Sequence, residues 1–71
     1  MRIRLNGRTW ETEARTVAAL LEELRAQGAL DAASDTVATA VNGAFTPQAD
    51  RPTQTLSEGD AVEIVSPRQG G

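Results

Sequence analysis

Residues 2–24, RIRLNGRTWETEARTVAALLEEL, change their hydrophobic period once, and that change decides the fold. Over Arg2, Ile3, Arg4, Leu5 and Asn6 apolar and polar residues alternate, the period of a half-buried strand. Asn6-Gly7 follows, a dipeptide suited to the type I′ turn because both central positions need positive φ. Closing the chain there sets Leu5 opposite Arg8 and Ile3 opposite Trp10, and predicts a return strand over 8–13. Glu11 and Glu13 then point to the other face from Trp10. From Val17 the period becomes helical: Val17, Leu20, Leu21 and Leu24 form one stripe at i, i+3, i+4, i+7. Thr16 suits the N-cap and Gly28 the left-handed position after the helix, which predicts a helix over 17–27.

Downstream, residues 28–35 read as a small, polar connection. Residues 36–41 read as a strand with Val37, Thr39 and Val41 on one face and Ala38 and Ala40 on the other; the pattern leaves open which face is buried. A second Asn-Gly pair, Asn42-Gly43, returns the chain through Ala44, Phe45 and Thr46 to Pro47, which stops the strand or marks an edge. Residues 48–55 read as a polar loop, with Leu56 a lone apolar anchor after it. Glu58-Gly59-Asp60 is a turn, and residues 61–65 are the last strand, with Val62 and Ile64 opposite Glu63. The order is strand, strand, helix, strand, short strand, strand. A helix with one apolar stripe must cover a sheet face, so the fold class is α+β, a four- to five-stranded sheet with one helix across it.

Composition narrows the function. At 71 residues and 7.5 kDa the chain is one small domain. It has no cysteine and no histidine, which removes disulfides, Cys/His zinc sites, thiol nucleophiles and imidazole acid–base chemistry. Net charge is −3, and the seven basic residues, all arginine, are scattered along the chain, against nucleic-acid binding. No apolar run is long enough to span a membrane and the N-terminus has no apolar signal core, so a cytoplasmic location is expected. Ser34, Ser57 and Ser66 have no histidine to activate them, and Glu22-Glu23 diverge around the helix. No glycine-rich loop has the phosphate-binding pattern. The chain is expected to catalyse nothing alone.

The exception is the end, Ser66-Pro67-Arg68-Gln69-Gly70-Gly71. Pro67 cannot donate to a ladder, so a domain over 1–65 and a flexible tail over 66–71 are expected. Two glycines without Cβ let a main-chain carboxylate thread a narrow channel. From the dipeptide alone, a frayed terminus is the plain reading.

Taken together, Ala40-Val41-Asn42-Gly43, Leu56 with Glu58-Gly59-Asp60, and Glu63-Ile64-Val65-Ser66-Pro67-Arg68-Gln69-Gly70-Gly71 resemble the ThiS/MoaD sulfur carriers, over essentially the whole chain. The Gln69-Gly70-Gly71 ending is similar to the ThiS, thiamine branch; the molybdopterin branch more often has a small residue where Gln69 stands. The resemblance implies a ubiquitin-like β-grasp fold with a mixed sheet. It implies that a ThiF-type adenylyltransferase uses ATP to adenylate the Gly71 carboxylate, which becomes a thiocarboxylate. That group gives its sulfur to a ThiG-type thiazole synthase. Gly71 is then the reacting residue, and Gly70, Gln69 and Arg68 lie in the partner's channel. No cofactor and no metal are expected on the chain, which is a substrate of its partners rather than an enzyme. The alternatives are the small subunit of molybdopterin synthase, a ubiquitin-like modifier joined through Gly71, and a plain β-grasp binding module.

Overall fold

Asn6 and Gly7 adopt φ of 51° and 84°, and Asn42 and Gly43 adopt 52° and 84°, so both Asn-Gly pairs make the tight turns their chemistry favours. The computed structural model describes residues 1–30 and 36–65. The first turn joins β1 (Arg2–Leu5) to β2 (Arg8–Glu11), with Leu5 opposite Arg8 and Ile3 opposite Trp10 as the sequence predicts. The second joins β3 (Ala38–Val41) to β4 (Ala44–Thr46). Between the hairpins lies α1 (Val17–Ala26), and the last strand is β5 (Ala61–Val65).

The sheet order is β2-β1-β5-β3-β4, so the last strand lies in the middle. It runs parallel to β1 and antiparallel to β3. Helix α1 covers one face. Its stripe of Val17, Leu20, Leu21 and Leu24 packs into one core with Ile3, Val37, Val41, Leu56, Val62 and Ile64. Val37, Thr39 and Val41 are the buried set of the third strand, which settles the face that the alternation left open.

Three main-chain N–H groups at the start of α1, those of Val17, Ala18 and Ala19, lack helical partners, and each finds one elsewhere. Thr16 accepts from Ala19 N through Oγ1 at 3.1 Å, and its carbonyl accepts from Leu20 N at 3.0 Å. The N–H groups of Val17 and Ala18 donate to the carbonyls of Gln54 and Arg51, each at 3.0 Å. At the other end Gly28, φ 74°, turns the chain; its N–H donates to Arg25 O at 3.1 Å and that of Ala29 to Leu24 O at 2.8 Å, a Schellman closure.

Some boundaries move. The predicted 8–13 strand ends at Glu11; Thr12 makes main-chain bonds with Met1 at 2.9 and 3.1 Å, and its hydroxyl accepts from Ala14 N at 2.9 Å and donates to Glu23 Oε1 at 2.7 Å. The predicted 17–27 helix ends at Ala26, with Gln27 as its cap. The predicted 36–41 strand begins at Ala38, since its ladder with β5 starts at Ala38 opposite Val65. The stretch read as a polar loop over 48–55 contains a 3-10 turn at Gln48–Asp50 and a buried residue, Arg51, whose guanidinium donates to the Val37 carbonyl. The tail expected over 66–71 lies outside the described residues.

Candidate functional site

The chain passes into residues 66–71 from Val65, the end of the central strand. Arg68, Gln69, Gly70 and Gly71, expected from the resemblance to be the reacting end, lie outside the described residues. The structure defines the place from which they depart and the surface around it.

Two asparagines hold the central strand, one at each end. On the β1 side, main-chain bonds run from Arg4 N to Asp60 O and from Asn6 N to Val62 O, both 2.9 Å. There β1 turns away at Asn6-Gly7. The Asn6 side chain continues the ladder: Oδ1 accepts from Ile64 N at 2.8 Å and Nδ2 donates to Ile64 O at 3.1 Å. At the start of β5, Asn42 N donates to Ala61 O at 2.6 Å, Asn42 Oδ1 accepts from Ala61 N at 2.9 Å, and Nδ2 donates to Asp60 Oδ1 at 3.0 Å. A carboxamide carries a donor and an acceptor side by side, so it can bond both polar groups of one residue in a strand.

Alternation along β5 buries Val62 and Ile64 under the helix and leaves Ala61, Glu63 and Val65 on the open face. The register places Phe45, Ala40 and Glu63 in one row across that face, and Ala38 beside Val65 in the next. Phe45 is 68% exposed and Val65 61%, the exposed large apolar side chains among the described residues. With Ala38 and Ala40 between them, they form an apolar corner where the chain leaves the sheet. On the far side of the same face the side chains are charged; Arg2 Nε donates to Glu11 Oε2 at 3.0 Å.

A groove of about 530 Å³ lies between the tip of the first hairpin and the end of α1, lined in part by Leu5, Arg8, Trp10, Leu24 and Ile64. None of its described lining residues carries a carboxylate or hydroxyl. Among the described residues no group of three His, Cys, Asp or Glu side chains could hold a metal ion.

The fold is that of the ubiquitin-like β-grasp proteins: a hairpin, a helix laid across the sheet, and a last strand inserted in the middle beside the first. The ThiS family model matches residues 3–71, and the chain belongs to the ThiS family. It is similar to the crystal structure of a thiamine biosynthesis protein (ThiS) from Geobacter metallireducens, with a TM-score of 0.80 and 26% identity over 100% of both chains. It is also similar to the solution structure of a thiamine biosynthesis protein from the same organism, with a TM-score of 0.76 and 26% identity over 100% of this chain and 88% of that one. No curated protein sequence matches the chain.

The sequence alone assigns Phe45 and Val65 to strands and Asn6 to a turn, and nothing more. For the first two the missing signal is strand order, which decides whether an apolar residue in a short strand meets the helix or solvent. For Asn6 a signal was present: both turns use asparagine, whereas glycine or aspartate would also satisfy the turn itself.

Proposed function

We propose that the chain is a sulfur carrier of thiamine biosynthesis whose reacting group is the Gly71 carboxylate. The observation that carries this reading is the ThiS family match, which runs from the first strand through Gly71. It supports the thiamine branch over the small subunit of molybdopterin synthase. A ThiF-type adenylyltransferase supplies the nucleotide site: the carboxylate attacks the α-phosphorus of ATP, pyrophosphate leaves, and an acyl-adenylate forms. A sulfide-level sulfur nucleophile then attacks the acyl carbon. The carbon–oxygen bond to AMP breaks and the carbon–sulfur bond of a thiocarboxylate takes its place. A ThiG-type thiazole synthase receives the sulfur.

The division of labour follows from composition. Without cysteine or histidine the chain supplies an unhindered acyl group, and its partners supply the catalytic groups. It acts as a protein substrate, binds no cofactor of its own and works in the cytoplasm; among the described residues no helix is long and apolar enough to cross a membrane. Gly70, Gln69 and Arg68 occupy the partner's channel, and the Phe45–Val65 corner docks outside it.

The test is intact mass spectrometry after incubation with ATP, sulfide and a ThiF-type enzyme. Wild type gains the mass of one oxygen-for-sulfur exchange, located in the C-terminal peptide. Deleting Gly71, or Gly70→Trp, abolishes that gain while stability stays within about 0.5 kcal/mol, as for other changes outside the core. Sulfur on another peptide, or an active deletion variant, overturns the reading.

A further inference from the structure

We propose that Asn42 is a site of spontaneous covalent modification, deamidation to aspartate and isoaspartate, and that the fold holds the same reaction back at Asn6. The inference stands apart from the carrier reading and needs no partner protein.

The chain has two asparagines, and glycine follows each. Glycine has no Cβ to shield its amide nitrogen, so that nitrogen can attack the preceding carboxamide carbon. The bond from the glycine nitrogen to Asn Cγ forms and the Cγ–Nδ2 bond breaks. The leaving nitrogen takes up the proton lost by the glycine nitrogen and departs as ammonia, which leaves a five-membered succinimide. Water then opens the ring at either carbonyl, giving aspartate or isoaspartate. Nothing is oxidised or reduced.

Both turns oppose ring closure in the same way. Asn6 and Asn42, at φ 51° and 52°, stand in the left-handed region. There ψ is about +47°, which sets the next nitrogen roughly opposite Cβ and away from the carboxamide. Each asparagine must leave its turn conformation, and break its bonds to β5, before it reacts. The rate in the folded protein is therefore the open-chain rate scaled by the fraction of time the turn is open.

The two sites differ in what that opening breaks. Each asparagine donates its main-chain N–H to β5, so that contribution is common to both. The Asn6 carboxamide adds two partly buried bonds to Ile64, at 2.8 and 3.1 Å. Arg4 Nη2 also donates to the Gly7 carbonyl at 3.3 Å and so ties down the attacking residue. The Asn42 carboxamide bonds Ala61 N at 2.9 Å and Asp60 Oδ1 at 3.0 Å, both at the exposed surface, where water replaces them at smaller cost. Asn42 therefore opens more often and converts first. An aspartate there turns a carboxylate toward that of Asp60, where a donor stood, and an isoaspartate lengthens the main chain of the turn by one carbon. Either product loosens the hold of the second hairpin on the start of β5.

The experiment ages the full-length chain in mildly alkaline buffer at physiological temperature. Peptide mapping follows each site through the mass gain of an NH2-to-OH exchange and the separation of aspartyl from isoaspartyl peptides. A parallel sample in denaturant supplies the open-chain rate of each site. Relative to its own open-chain rate, Asn42 converts about fivefold or more faster in the folded protein than Asn6 does. Asp60→Ala removes the acceptor for Asn42 Nδ2 and speeds conversion at Asn42 about threefold, with Asn6 unchanged. Arg4→Ala frees the Gly7 carbonyl and speeds conversion at Asn6, with Asn42 unchanged. Equal protection at the two sites, faster relative conversion at Asn6, or an intact Asn42 after the denatured sample has converted overturns the proposal. So does a wild-type rate at Asn42 in a folded Asp60→Ala variant.

Discussion

The side chain of Asn6 bonds both main-chain polar groups of Ile64, at 2.8 and 3.1 Å, across 58 residues of sequence. A turn residue thereby serves as an extra rung between the first and last strands.

Asn6→Asp tests the rung as a matter of stability. The replacement keeps the acceptor for Ile64 N but points a carboxylate oxygen at Ile64 O, where a donor stood. The expected loss is about 1–2 kcal/mol, read as a lower denaturation midpoint with an unchanged m-value. An unchanged midpoint means that solvent replaces the Nδ2 bond at no cost.

Glu23 sits at the junction of helix and hairpin. Its Oε1 accepts from Thr12 Oγ1 at 2.7 Å and its Oε2 from Trp10 Nε1 at 3.3 Å. Glu23→Ala leaves two partly buried donors without a protein partner and costs about 1–2 kcal/mol. Trp10 is the sole tryptophan, so its fluorescence reports the change directly as a shifted emission maximum.

Leu24 is 4% exposed and belongs to both the helix stripe and the Schellman closure. Leu24→Ala costs about 2–5 kcal/mol, a large part of the stability of so small a domain. Chemical denaturation gives the value; a change below about 1 kcal/mol places the side chain outside the core.

Phe45 separates docking from folding. Because it stands largely in solvent, Phe45→Ala shifts stability by no more than about 0.5 kcal/mol. As an aromatic anchor of the proposed docking corner it raises the KM for activation about tenfold when truncated. A wild-type KM moves the docking surface elsewhere on the molecule.

Much of the fold was legible because it is written locally. The Asn6-Gly7 turn fixed the register of the first hairpin down to the Ile3–Trp10 pair, and the leucine stripe fixed the buried side of the helix. Parallel pairing of β1 with β5 has no local signal, since it joins residues 4 and 5 to 61 and 62. Arg51 was illegible for a similar reason: an arginine among polar residues reads as solvated, and only the packing of 47–56 over the start of α1 buries it. The reacting end was read wholly from sequence and from family resemblance. The apolar corner beside it waited on strand order, and so did the double bond from Asn6, whose presence in a turn was already explained by φ.

The last strand to be synthesised fills the middle of the sheet. Until residues 61–65 emerge from the ribosome, β1 and β3 have no common neighbour, and the two hairpins cannot be joined into one sheet. Such long-range pairing makes late folding the rule for this topology. A chain cut short before Ala61 lacks the keystone and stays open to proteases, whereas one that has closed its sheet has been translated through Val65.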